Sequence, residues 1–199
     1  MLKLACQEQL LPGDDLVAKF DFARRAGFDG IELRAKGNDH FKGRLPELRT
    51  AEDDRKVLLE ALIPLAEHAE REGVWLALEA LNRYEDYMIN RLDQIVGLAK
   101  EVEEATGTRS IRACADFFHL NIEEDDMAKA IVAAGPWIVH VHVDDSNRMQ
   151  PGTGHLDFAN AFRALRAIDY DGWHTLECRL RGEPETALPA TAAFLRQFA

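Results

Sequence analysis

Residues 137–148 read WIVHVHVDDSNR. Within this run Val139, Val141 and Val143 alternate with His140 and His142. A period of two is the signature of a β-strand, because successive side chains leave opposite faces of the pleat. The valines therefore face a layer of helices, and the two imidazoles share the other face. His142 stands near the strand's C-terminal end, with His140 one pleat deeper. The run then opens into the charged stretch DDSNR, which reads as a loop.

Working outward, the same rhythm recurs along the chain: short apolar run, loop, amphipathic stretch, glycine or polar turn. LKLACQE, DGIELR, VWLALEAL, SIRACADFFH, WIVHVHVDD and WHTLECRL read as strands. Between and after them lie six amphipathic segments. The first runs to a stop at Gly27, with Asp14 or Asp15 as its N-cap. The second spans residues 51–73, has acids in its first turn and is kinked at Pro64. Asp157 caps the helix after PGTGHLD, and the acid run Ile122–Asp126 complements a helix dipole. A short helix is weakly signalled at RLPELR, residues 44–49. Six strand–helix units in strict alternation define an α/β fold with a parallel sheet, either open or closed as a barrel.

Composition sets outer bounds. The chain has 199 residues, 47% of them hydrophobic, which suits a single domain over residues 1–199. Its formal charge of −11 disfavours nucleic acid and anionic membranes as partners. No run has the length of a membrane helix, and the N-terminus shows no signal-peptide pattern, so a cytoplasmic location is expected. The three cysteines, Cys6, Cys114 and Cys178, form neither a disulfide framework nor a zinc pattern.

The strand ends carry the chemistry. Glu79 shares a face with Ala77, Asp116 with Cys114, His142 with His140, and Glu177 with Thr175. Each can be the last inward residue of its strand, one strand–helix unit from the next. A parallel sheet then sets all four at one C-terminal edge, where α/β enzymes place their sites. Three carboxylates cannot converge there as bare anions, since desolvation and repulsion would force protonation. A divalent cation resolves the conflict, and a set of two Glu, one Asp and one His suits manganese, with magnesium or cobalt as substitutes. Glu85, His119 and Arg148 follow the strand ends on loops facing the same mouth.

The strings LEALNRYE, ADFFHLNIEE, HVHVDDSNRMQPGTGHLD and YDGWHTLECR resemble the xylose-isomerase-like TIM barrels, and within them the ketose 3-epimerases of the D-tagatose and D-allulose type. GFDGIELR is similar to the family's second strand. Ala80 stands where many relatives carry proline. The resemblance implies that Glu79, Asp116, His142 and Glu177 bind one metal ion, that Glu79 and Glu177 are the acid/base pair, and that Glu85, His119 and Arg148 hold the sugar. It implies inversion at C3 of a ketose through an enediolate. Alternatives are a hydroxypyruvate-like aldose–ketose isomerase, or a shortened metal- or sugar-binding protein without turnover. Such barrels have eight strand–helix units. Here two are missing by a deletion near residue 50, so the barrel is expected to be incomplete or completed by a partner, with a homo-oligomer covering the open edges.

Overall fold

The computed structural model describes residues 2–33 and 51–198. The RLPELR segment and the junction near residue 50 lie outside them. Six strands are present among the described residues: β1 (Lys3–Gln7), β2 (Gly30–Glu32), β3 (Leu76–Glu79), β4 (Ile111–Asp116), β5 (Ile138–Val143) and β6 (Trp173–Leu176). The helices are α1 (Leu16–Arg25), α2 (Ala51–Glu72), α3 (Leu92–Thr106), α4 (Phe117–Glu123), α5 (Met127–Ala134), α6 (Phe158–Ala167) and α7 (Pro184–Arg196).

All strand pairs are parallel, in the order β2-β1-β6-β5-β4-β3. The last strand thus pairs with the first, Lys3 opposite Trp173 and Cys6 opposite Leu176. Followed from β3, the order is that of a β/α barrel interrupted once, between β2 and β3. The interruption falls between the two strands that come before and after residues 34–50 in the chain, and among the described residues those two strands do not pair. Both are short, which limits the exposed ladder.

The period-two reading of β5 holds at the level of packing. Val141 and Val143 are fully buried, in one apolar cluster with Ile131 of α5 and Phe162 of α6. Burial of this kind stabilises by about 1.5–3 kcal/mol for each large apolar side chain. A second cluster joins Leu62 and Ala66 of α2 to Leu98 and Val102 of α3 and Ile111 of β4. Helix starts follow their caps. Asp15, Asp126 and Asp157 accept from the backbone N–H groups of Ala18, Lys129 and Asn160, at 2.8, 3.0 and 3.0 Å. α2 runs through Pro64 as one helix, although the ring removes the N–H that would bond Glu60. None of the described helices is long and apolar enough to cross a membrane.

Two local expectations are corrected. The strand read as SIRACADFFH stops at Asp116, and Phe117 already begins α4. His119 is therefore a helical residue and not a loop residue. The cause is Asp116, whose carboxylate caps the helix and ends the strand. The acid run 122–126 does not act as one dipole-complementing group. Only Asp126 caps a helix. Glu123 holds Arg83 through its backbone N–H and its guanidinium, at 2.6–2.9 Å, and Glu124 accepts from the Leu92 N–H at 2.9 Å. These two acids pin the segment after β3 and the start of α3 to the end of α4.

Candidate metal centre

The sheet register brings the strand ends level. Glu79 lies opposite Cys114, Asp116 opposite His142, and His142 opposite Thr175, with Glu177 one residue beyond β6. The four side chains meet around the His142 ring. Its Nδ1 is 2.9 Å from Glu79 Oε1, 2.9 Å from Glu177 Oε2 and 3.8 Å from Asp116 Oδ2. One donor atom from each of the four lies within 4.8 Å of the others.

Asp116 divides its two oxygens. Oδ1 accepts from the N–H groups of Phe118 and His119, at 2.8 and 3.2 Å. Oδ2 faces the centre and meets Arg148 Nη1 at 2.8 Å. The helix cap thereby aims the second oxygen at the centre. Burial pushes the Asp116 carboxyl up to about 6, despite the opposing charge of Arg148. Burial and the neighbouring Asp116 charge also raise Asp144 well above the usual carboxylate range. For Glu177 burial acts upward too, but hydrogen bonds and charge from His142, with Gln7 and Arg148, outweigh it and hold the group at about 2. The imidazole of His142 is pushed far up. Burial opposes its charge, and hydrogen bonds to Cys114, Glu177, Glu32 and Glu79 overcome that.

Arg148 reaches the same centre from the loop after β5. It bonds Asp116 and Asp144 at 2.8 Å each, lies 3.3 Å from Glu177, and stacks over the Phe118 ring at 4.9 Å. Its backbone is left-handed, with φ at 59°, which costs energy for a residue with a Cβ. Two bonds of 2.9 Å hold it there, Arg148 N–H to the Asp145 carbonyl and Arg179 N–H to the Arg148 carbonyl. Asp145 in turn gathers the N–H groups of Ser146, Gly152, Thr153 and Leu156 on one carboxylate. The PGTG segment is thus folded around a single acid.

His119 sits behind Asp116, fully buried, with Nε2 3.9 Å from Asp116 Oδ2 and without a hydrogen-bond partner among the described residues. Its Nδ1 accepts from the Asn82 backbone N–H at 3.0 Å and faces the Asn82 amide at 2.8 Å, so the ring proton is on Nε2. Glu85 does not enter the centre. It is exposed and takes the other contact of the Asn82 amide, at 2.8 Å. Four participants were not singled out from the sequence: Gln7, Glu32, Asn82 and Asp144. Gln7 and Glu32 end β1 and β2, and the period-two rule that found Glu79 also applies to them.

The donor chemistry fits one divalent ion. Three carboxylates and one imidazole offer hard oxygen and borderline nitrogen donors. Glu79 and His142 also gather with Cys114, one donor atom of each within 4.8 Å of the others. Burial pushes that thiol up to about 12, however, which disfavours the thiolate that a metal needs. His140 is not in the four-residue group. It bonds Glu32 at 2.8 Å, one pleat below.

A parallel β/α sheet curled toward a barrel, with acids and an imidazole gathered at its C-terminal edge, defines the class of protein. The family follows from comparison. The model of the xylose isomerase-like TIM barrel family matches residues 38–198, and the chain belongs to that family. It is 39% identical to the 3-dehydro-D-guloside 4-epimerase of Escherichia coli K12 over 78% of its own length. It is 38% identical to a D-psicose 3-epimerase of Enterocloster bolteae over 62%. These matches span 60% and 40% of the two relatives. The apo crystal structure of 3-keto-D-glucoside 4-epimerase from E. coli superposes with a TM-score of 0.85 at 28% identity, covering 99% of this chain and 100% of that one.

Proposed function

We propose that the protein is a metal-dependent sugar epimerase that inverts a hydroxyl-bearing carbon beside a carbonyl, with C3 of a ketose as the first reading. The observation that carries it is the convergence of Glu79, Asp116, His142 and Glu177 on one point. Those four would hold a single divalent ion, manganese by preference. A bound ion there supplies Lewis-acid polarisation of the substrate carbonyl.

The chain's own residues would do the rest. Glu79 and Glu177 come from strands separated in the sheet by β4 and β5, yet both reach the same centre. One carboxylate takes the proton from the carbinol carbon, leaving an enediolate. The other, in its acid form, returns a proton on the opposite face. Each turnover leaves the two glutamates with exchanged protonation, which solvent resets. Arg148 and His119 supply fixed donors beside the reacting oxygens, and Glu85 orients Asn82 and through it His119.

A second reading places the same chemistry at C4 of a 3-keto sugar. It is favoured by the relative matched over 78% of the chain, whose name specifies a 3-dehydro sugar and a 4-epimerase. The deciding experiment incubates Mn²⁺-loaded protein in D₂O with a ketohexose and, separately, with a 3-keto glycoside. Deuterium at C3 or at C4, with inversion there, identifies the reaction. A carbonyl that migrates would signal aldose–ketose isomerisation instead. Metal binding without exchange on any such sugar would overturn the epimerase reading.

A further inference from the structure

Glu32 lies outside the proposed ligand set but touches it from the opposite side of the His142 ring. It ends β2, level with Gln7 at the end of β1. Its Oε2 is 2.8 Å from His140 Nε2 and 3.4 Å from His142 Nε2. Its Oε1 accepts from the Gln7 amide at 3.0 Å, and the same amide nitrogen donates to Glu177 Oε1 at 2.8 Å. The His140 and His142 rings stand perpendicular, with centroids 4.9 Å apart.

Imidazole chemistry gives this arrangement a consequence. A neutral ring carries one proton. To ligate through Nδ1, the atom facing Glu79, Asp116 and Glu177, His142 must hold that proton on Nε2. The acceptor on the Nε2 side is Glu32. A carboxylate on the far nitrogen of a ligating histidine fixes its tautomer and its ring orientation. We infer that Glu32 is a positioning residue that holds His142 in the Nε2–H form, with His140 and Gln7 fixing Glu32 in turn. The inference rests on the divalent centre proposed above. The competing use of these residues is a second ion held by Glu32, His140 and His142. It would need His142 to ligate through both nitrogens at once, and it would break the bond that His140 already makes.

The test uses the full chain in wild-type, Glu32→Ala and Glu32→Gln forms, titrated with Mn²⁺ by calorimetry. Unfolding of the metal-free proteins is followed in parallel. The expected result is one ion per wild-type chain and a loss of affinity of roughly 10- to 100-fold in Glu32→Ala. Glu32→Gln should fall between them, since its amide oxygen still accepts from Nε2–H. In Mg²⁺-loaded ¹⁵N-labelled protein, Nε2 of His142 should be protonated in wild type and variants alike, and its resonance should shift in Glu32→Ala, where the N–H has lost its carboxylate acceptor. If Glu32→Ala does not fold, Glu32→Gln carries both comparisons. A wild type that binds no Mn²⁺ would sink the divalent centre and this inference together. A wild type that binds, with unchanged affinity and an unshifted Nε2–H resonance in the variants, would overturn the role of Glu32 alone. Two ions per wild-type chain and one in Glu32→Ala would replace it with the second ion site. A fall in melting temperature without a change in Mn²⁺ affinity would reduce Glu32 to a structural clamp.

Discussion

Asp116 offers the sharpest separation of folding from metal binding, because its two oxygens have different duties. Oδ1 caps α4 through Phe118 and His119, while Oδ2 faces the centre. Asn is as good an N-cap as Asp, whereas Ala costs about 1 kcal/mol. For a domain of this size, 1 kcal/mol corresponds to roughly 2–4 °C in Tm. Metal-free Asp116→Asn should therefore melt within a degree or two of wild type. Relief of the Asp116–Asp144 repulsion works in its favour. Metal-free Asp116→Ala should melt about 3 °C lower than Asp116→Asn through the cap alone, since the charge that Arg148 pairs with is lost in both variants. Mn²⁺ at 100 times its Kd should stabilise wild type by about 2.7 kcal/mol, a rise of roughly 5–11 °C. Asp116→Asn should lose most of that rise, since the proposed carboxylate ligand has become a neutral amide. Differential scanning calorimetry of the three proteins, with and without Mn²⁺, reads all of these quantities. A full Mn²⁺-induced rise in Asp116→Asn would refute Asp116 as a ligand. A metal-free Asp116→Asn as unstable as Asp116→Ala would refute the division of its oxygens.

Three further outcomes follow from the same structure. Of Glu79→Gln and Glu177→Gln, one should still exchange the substrate's carbinol proton with D₂O while failing to invert it, because the proton-removing carboxylate remains. Wild-type epimerisation in either variant, measured by chromatography of the products, would remove that residue from the acid/base pair. His174 is buried under Phe162, with ring centroids 5.2 Å apart, and burial, with the nearby His140, lowers its pKa from 6.5 to about 4. The folded state keeps it neutral, so its contribution to stability is complete above pH 6.5 and drains away as pH falls toward 4. The loss reaches about 3 kcal/mol, and urea unfolding of wild type against His174→Phe should show a shallower acid slope in the variant. A Cβ on Gly154 would collide with Asp145 Oδ1 and lie 2.5 Å from Ser146 Oγ. Asp145 cannot move without releasing its backbone bonds, so Gly154→Ala should destabilise by about 1–3 kcal/mol and disturb the loop that carries Arg148; an unchanged Tm would show that the loop has slack.

Much of this architecture is local in origin. Alternation in WIVHVHV places the valines against the helices and the imidazoles inward, because a strand's pleat leaves no other choice. The same rule, applied strand by strand, selects Glu79, Asp116, His142 and Glu177, and the parallel α/β rhythm sends them to one edge. Glu85 marks where such reasoning stops. Its spacing from the strand matches Arg148 in kind, yet only Arg148 reaches the centre, because the Asp145 hub and the bonds to Arg179 fold its loop inward. His119 likewise needed the fold, since a strand reading of DFFH could not show that Asp116 starts a helix there.

The sequence by itself determined the strands, their inward faces and the chemical character of the edge they share, all consequences of short-range backbone geometry. The tertiary structure alone decided who meets whom across the sheet. Pairing of the last strand with the first carries Gln7 and Glu32 around to Glu177 and to the far side of His142. That register is set by packing over more than a hundred residues of intervening chain. No local pattern in β1 or β2 encodes it.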